Sequence, residues 1–318
     1  MYNQLSREQR YAIYLGLESK ESKKTIARKL RVHPSTITRE LKRNMTKRGV
    51  YVWNKAHDMA SNRRTGKPGN RRLCLTLVLR IKDLIKSEQW SPKQISGYLA
   101  LEGIKVSHEA IYRIIRRDKT GELAKHTRHG MRYKRRQKPL KPTKATNIPN
   151  RISIHERPIE ADGSRLGDWE MDLIIGKDGK GAILTMVERS TNFLIMEKLK
   201  NGKNAEELAK VVVRLLFAYR GKGLKTITTD NGSEFAAHEK ITKGLKGVAV
   251  YFADSYASWQ KGAIENTNKL IRQYIPKGVS FDGVSNKKIQ LIQRKINARP
   301  REKLNFDTPK RRFFKLVS

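Results

Sequence analysis

The chain has 318 residues, with 69 Lys plus Arg against 30 Asp plus Glu, a formal net charge of +39 and a single cysteine. Such a length points to two or three domains, and so large a surplus repels itself in a compact fold unless a polyanion is its partner. One cysteine excludes an intrachain disulfide and a cysteine zinc site. Residues 1–10 are too polar for a signal peptide, and no stretch nears the ~20 apolar residues of a membrane span, so an intracellular protein without a membrane partner is expected.

The charge is uneven. Residues 1–150 hold 37 basic and 11 acidic residues, a net of +26, whereas residues 151–318 hold 32 and 19, a net of +13. A DNA-reading element is therefore expected in the first half. There Ser6 and Gln9 have the spacing of a capping box, opening a helix that runs toward Glu18. A second helix starts near Ser22 and carries Ile26, Ala27 and Leu30 on one face. After a turn at 31–33, Pro34 suits the first position of a third helix. Ile37 and Leu41, four apart, pack inward and leave Ser35, Thr36, Arg39, Lys42 and Arg43 to face outward. This is the helix-turn-helix pattern, whose second element enters the major groove of DNA, and it gives a module over residues 1–45.

Residues 46–72, polar, basic and rich in Gly and Asn, read as a linker with one helical turn near 53–59. Residues 73–118 repeat the three-helix pattern. A helix over 73–87 begins in an apolar run where Cys74 is expected as a buried thiol. Ser91, Pro92 and Gln94 open the next helix, with Ile95 and Leu99 continuing it. Ser107 caps a third, with Ile111, Ile114 and Ile115 inward and Arg113, Arg116 and Arg117 left for phosphates or bases. A basic linker follows over 119–156. Its residues 125–144 hold nine basic residues and no acid, which predicts disorder in isolation and phosphate neutralisation along DNA.

From residue 157 the texture becomes α/β. Strands are predicted at 167–176, 182–188, 193–198, 224–229 and 248–252, and helices at 205–220 and 260–274. The order predicts a mixed five-stranded sheet with helices on its faces over 157–318. Asp172 in the first strand, Asp230 at the end of the fourth and Glu265 in the first turns of the last helix stand where this layout brings them together. Carboxylates so gathered repel one another unless a cation lies among them. Oxygen-only ligands favour Mg²⁺, with Mn²⁺ able to substitute. Two such ions could activate an attacking oxygen and stabilise a leaving one. Asp168, Glu170 and Asp172 share one face of their strand, so spacing alone leaves the first ligand open among the three. The seven histidines are scattered and sit in no motif, which gives Ser/His/Asp chemistry no support.

At these residues the sequence resembles a known family. Trp169-Glu170-Met171-Asp172-Leu173-Ile174-Ile175-Gly176, Asp230-Asn231-Gly232-Ser233-Glu234-Phe235 and the stretch from Glu265 through Asn268, Lys269 and Arg272 to Tyr274 closely resemble the insertion-sequence thirty family of bacterial transposases. So do Pro34 to Leu41, Trp90-Ser91-Pro92, Ser107 to Tyr112, Asn297-Ala298-Arg299-Pro300-Arg301 and Thr308-Pro309. The resemblance implies a ribonuclease-H-like catalytic domain and an Asp-Asp-Glu triad, and assigns Asp172 as its first member. The 34 residues between Asp230 and Glu265 are close to the usual gap of that family. Arg272 and Lys261 match basic positions that such enzymes place beside the third acid, and with Asn268 and Lys269 they are expected at the DNA. A Tyr common in the related signature is Ser258 here, with Trp259 beside it. The resemblance further implies binding of terminal inverted repeats and target DNA, a homo-oligomer of at least two subunits on DNA, and a cytoplasmic, nucleoid-associated location in a bacterium. Two rival readings are a DNA-binding regulator with an idle C-terminal domain, opposed by the presence of all three acids, and a ribonuclease or phage-type integrase on the same fold. Two groove-reading modules oppose an RNA-cleaving enzyme.

Overall fold

The computed structural model describes residues 4–46, 48–65, 73–128, 130, 148–255 and 257–318. The chain divides into two compact units, Met1–Cys74 and Leu75–Ser318.

The first unit is built from α1 (Arg7–Glu18), α2 (Lys23–Lys29), α3 (Pro34–Asn44) and α4 (Trp53–Thr65). Ser6 and Gln9 close the predicted capping box on α1, and Pro34 opens α3 behind an N-cap at His33. Ile13, Ile26, Ala27, Ile37 and Leu41 make the core. Inside it Glu40 accepts from Arg10 at 2.7 Å and from the Tyr51 hydroxyl at 3.2 Å, so this buried charge is paired as burial demands. The single turn expected near 53–59 is in fact a 13-residue helix, α4. Trp53 meets Tyr11 of α1 edge to face at 5.3 Å, and Tyr51 and Ala56 join the core. Its apolar positions are too few to mark a helix by periodicity.

The second unit begins with α5 (Leu75–Lys86), α6 (Pro92–Leu101), α7 (His108–Arg117) and the short α8 (Glu122–Lys125). The Ser91–Gln94 capping box and the Ser107 cap form as expected. Ile81, Ile85, Ile95, Leu99, Ile111 and Ile115 are buried, and Ile114 is half-buried. Cys74 is exposed, against the expectation of a buried thiol. It precedes α5, and the residues that α5 buries are Ile81 and Ile85, further along. Residues 131–147, and with them most of the basic run, lie outside the described residues.

The remainder is a layered α/β domain: β1 (Ile152–Ser153), β2 (Asp168–Ile175), β3 (Ala182–Glu188), β4 (Leu194–Leu199), α9 (Ala205–Leu216), β5 (Thr226–Thr229), α10 (His238–Gly244), β6 (Ala249–Phe252), α11 (Gly262–Tyr274), α12 (Asn286–Asn297) and α13 (Pro309–Val317). The sheet has six strands in the order β1-β6-β5-β2-β3-β4, not five. The additional strand is β1, two residues paired in parallel with Tyr251 and Phe252. It lies ahead of residue 157, where the α/β texture becomes readable. β2 pairs antiparallel with β3 and parallel with β5, which puts the predicted first and fourth strands side by side at the centre.

β2 alternates. Trp169, Met171 and Leu173 enter one core with Leu208, Val212 and Phe313. Ile174 enters the other, beneath Ile264 and Ile271 of α11 and Ile292 of α12. The strand therefore turns Asp168, Glu170 and Asp172 toward α11. α12 covers the edge strand: Asn297 accepts from the Leu194 N–H and donates to its carbonyl, both at 2.8 Å, and Gln293 accepts from the Met196 N–H at 2.7 Å. Side chains thus satisfy an edge that would otherwise invite strand addition.

The second helix module is docked on this domain. Phe306, at a φ of +63°, lays its ring against Gly97 of α6, where a Cβ would meet ring atoms at 2.3 Å. Lys93 pairs with Glu302 at 2.7 Å, and Lys295 donates to the Ser87 carbonyl at 2.6 Å. Gly97→Ala would raise helix propensity by about 1 kcal/mol but would overpack this contact at a cost of about 1–3 kcal/mol. A lower melting temperature is expected, with Phe306→Ala in the same chain costing less than the two losses added. A double-mutant cycle by thermal denaturation measures the difference.

Candidate active site

The three acids of β2 face the same way but are held differently. Asp168 is fully buried; Arg165 grips it with two bonds of 2.8 and 3.0 Å, and the Thr226 hydroxyl adds a third at 2.7 Å. Glu170 accepts from Arg189 at 3.0 Å and from the Ile264 N–H at 2.7 Å. α11 has no side-chain N-cap of its own, so Glu170 caps its first turn from the sheet, where a negative group suits the helix dipole. Burial nonetheless pushes the Glu170 carboxyl up.

Asp172 has no arginine. Its side chain is 27% exposed, against 1% for each of the other two. It accepts from its neighbour Leu173 N–H at 2.9 Å and from the Asn268 amide at 2.8 Å, and the Lys261 ammonium stands 3.7 Å away. Desolvation raises its pKa, Lys261 opposes this, and the charges of Asp230 and Glu234 add to the rise. The three acids thus differ in depth: Asp168 and Glu170 are engaged by arginine, and Asp172 opens on a cavity.

That cavity, of about 250 Å³, is lined by Asp172, Asp230, Glu265 and Lys261 among others. Asp230 follows β5 and accepts from the Gly232 N–H at 3.2 Å, and from Lys261 Nζ at 3.0 Å. Glu265, in the first turn of α11, pairs with Lys269 at 2.8 Å. Asp254 lines the same space but is engaged by His155 at 2.9 Å and Gln260 at 2.7 Å. Among the described residues no three His, Cys, Asp or Glu side chains stand ready to hold a metal ion. Lys261 lies between Asp172 and Asp230, and Lys269 engages Glu265. The donor set fits a hard divalent cation, because it offers carboxylate oxygens alone and one of them is desolvated.

The basic residues singled out in the sequence fall into three groups. On α3, Arg39, Lys42 and Arg43 are exposed and Ser35 and Thr36 half-buried, with Arg39 folded back on the Ser35 hydroxyl at 2.7 Å. On α7, Arg113, Arg116 and Arg117 are exposed, Arg116 pairing with Glu109 at 2.8 Å. Around α11 the picture divides. Lys269 is exposed; Arg272 is half-buried, with its pKa lowered by that burial. Lys261, 7% exposed, and Asn268 are turned to the aspartates. Periodicity placed Asn268 on a helix face but gave no sign of its strand partner. Arg165 and Arg189 were likewise missed, since nothing in their spacing ties them to β2.

Similarity to known proteins follows this geometry. A model described as a helix-turn-helix domain matches residues 1–44, and one described as an integrase core domain matches residues 164–261. The transposase for insertion sequence element IS4351 of Bacteroides fragilis is 44% identical over 324 residues, covering 100% of this chain and 98% of that protein. Transposase InsI for insertion sequence element IS30A of Escherichia coli strain K12 is 36% identical, covering 96% and 82%. Among solved structures, the catalytic core domain of BIV integrase is 18% identical with a TM-score of 0.36, covering 48% of this chain and 95% of that one.

Asp172→Asn tests the local electrostatics. An acid whose folded pKa is raised keeps its proton more tightly folded than unfolded, so its contribution is complete below the ordinary carboxylate range and is lost as pH rises through the raised value. With chelator present, the variant should melt higher than the parent at pH 8, and the gap should close toward pH 4. A parent at least as stable at pH 8 would mean that Lys261 and Asn268 outweigh desolvation.

Proposed function

We propose that this chain, which belongs to the IS30 family of Asp-Asp-Glu transposases, binds the terminal inverted repeats of its own mobile element, cleaves DNA strands there and joins the freed ends to a target. The observation that carries the reading is the convergence of Asp172, Asp230 and Glu265, from β2, β5 and α11, on one cavity. These three would hold Mg²⁺, or Mn²⁺ in its place. When bound, two such ions would lower the pKa of an attacking oxygen and neutralise charge on the leaving one.

The chain's own groups then have defined tasks. The Asn268 amide fixes the plane of Asp172, and the Gly232 N–H fixes Asp230. Lys261, a cation already shared by two aspartates, would turn from them to a DNA phosphate when another cation takes its place. Water, or a 3′-hydroxyl in the joining step, attacks phosphorus directly, and the P–O bond opposite breaks to release a hydroxyl end. Lys269 and Arg272, one and two turns beyond Glu265 on α11, would hold the strand. Trp259, 76% exposed on the turn before α11, offers a flat face for a base at the DNA end. Arg39, Lys42 and Arg43 of α3 and Arg113, Arg116 and Arg117 of α7 would read or grip the repeat. Cutting two ends together calls for at least a dimer on DNA.

Asp172→Ala, Asp230→Ala and Glu265→Ala should each lower cleavage and joining of labelled end oligonucleotides by at least roughly 100-fold, as expected for loss of electrostatic stabilisation, while leaving DNA binding in place. Chelation should stop the wild type, and added Mg²⁺ should restore it. Full strand transfer by any of the three variants refutes the assignment. Arg39→Ala should weaken binding to the terminal repeat more than to random duplex; an equal loss on both would make Arg39 a phosphate contact.

A further inference from the structure

The Asn297-Ala298-Arg299-Pro300-Arg301 stretch has no part in the chemistry above. Asn297 is explained by its two bonds to Leu194; the arginines are not. Both turn into a second cavity, of about 460 Å³, between the helix module and the catalytic domain. Five cationic side chains line it, Lys93, Arg128, Arg299, Arg301 and Lys303, with one carboxylate among its described lining residues, Glu302. That carboxylate is already paired with Lys93 at 2.7 Å.

The arginines are only partly satisfied. Arg299, 2% exposed, donates to Gln273 at 3.2 Å and to the Tyr274 hydroxyl at 2.8 Å. Arg301 reaches the Ile296 carbonyl only at 3.4 Å. The Nε atoms of both are buried without a hydrogen-bond partner. Arg128 donates to Asn266 at 3.1 Å. Burial lowers the pKa of Arg299 and Arg301, and partial desolvation that of the more exposed Arg128; the neighbouring charges of Arg299 and Arg128 help push Arg301 down to about 10. The Tyr274 hydroxyl, and behind it Glu88, oppose that shift at Arg299. Buried donors without acceptors, set among like charges, are costly unless an anion completes them. The first turn of α6, Pro92 to Gln94, opens on the same space and adds the positive end of a helix.

We propose that Arg128, Arg299 and Arg301 form a phosphate site for the DNA backbone, gripping a phosphodiester of the strand that leads into the active cavity. The inference rests on the transposase reading and deepens it. Asn266, Leu270 and Gln273 of α11 line the site, and Asn266 directly follows Glu265. Gln273 lies roughly 12 Å along the helix from Glu265, at 1.5 Å per residue. A backbone crossing α11 would therefore meet both cavities, and the docked helix module would be one jaw of the grip. Arginine forks suit phosphate oxygens better than any other side chain.

The test uses the full chain, Arg301→Gln and Arg128→Gln, the latter at an exposed side chain that leaves the buried packing in place. Inorganic phosphate, against chloride at equal ionic strength, should raise the melting temperature of the wild type and have less effect on either variant. Without phosphate, Arg301→Gln should melt no lower than the wild type, since it removes an uncompensated charge. On end DNA, the slope of log affinity against log salt should fall by about 1 for each variant, as for one lost phosphate contact, and the loss should be equal on random duplex. An unchanged slope overturns the clamp, including the case where phosphate still stabilises the wild type, which would mean a site for free anion. A drop in the phosphate-free melting temperature of Arg301→Gln with no change in slope makes the arginine structural. Failure of the wild type to bind end DNA at all would instead bring down the reading on which the clamp rests, and the clamp with it.

Discussion

The structure turns on one demand: the central strand β2 carries three carboxylates on one face, and a buried carboxylate must be met by charge or donors. The compensation weakens along the strand. Asp168 has a bidentate arginine and a hydroxyl; Glu170 has one arginine bond and a helix N–H; Asp172 has an amide and a lysine at 3.7 Å. Exposure rises in the same direction. The end where arginine gives way to one lysine shared by two aspartates is the end that opens on the cavity, and there an external cation has something to gain. The inner acids are thereby paired within the fold, while the outer acid stays under-compensated.

Glu170 also carries the consequence to the neighbouring helix. By capping α11 at Ile264 it fixes the first turn of the helix against the sheet, and Glu265 is the next residue. Ile264, Leu270 and Ile271 then bury one side of α11, which leaves Asn268 to reach Asp172. Another side, with Asn266 and Gln273, meets Arg128 and the His126 carbonyl at 3.1 and 2.9 Å. One 13-residue helix thus lines the acidic cavity and contacts the docked helix module.

How much of this could be read beforehand depended on how local the cause was. Caps at Ser6, Ser91 and Ser107 and the proline at Pro34 act within four residues, and they form as the sequence indicates. The adjacency of β2 and β5 followed from element order, and with it the approach of Asp172 to Asp230. What failed to show was whatever another part of the chain decides. α4 carries no apolar stripe and is held by Trp53 and Ala56 meeting residues of α1 to α3. β1 is two residues paired through backbone to β6, which leaves no side-chain signature. Cys74 sits in an apolar run, yet its helix buries a different stretch. Strand parity put three acids on one face, but the arginines that rank them come from Arg165 before the strand and Arg189 after the next one. Resemblance to a family singled out Asp172, and of the three acids it is the one that neither arginine engages.

The two cavities flanking α11 are electrostatic opposites. In one, acids outnumber their cation and a lysine stands between two of them; in the other, arginines outnumber their acid and donors go unmet. A net charge of +39 makes the second arrangement the harder to maintain, because the background potential opposes every further buried cation. The proposed ligands relieve both at once. A divalent cation in the first cavity would free Lys261 for phosphate, and a phosphate in the second would neutralise the repulsion among Arg128, Arg299 and Arg301. Both changes bear on the same helix, and ligands that bind only the folded state add to its stability. Because the cation would release Lys261 to the DNA backbone and the phosphate would quiet the arginine cluster on the other side of α11, DNA and metal are expected to favour each other's binding.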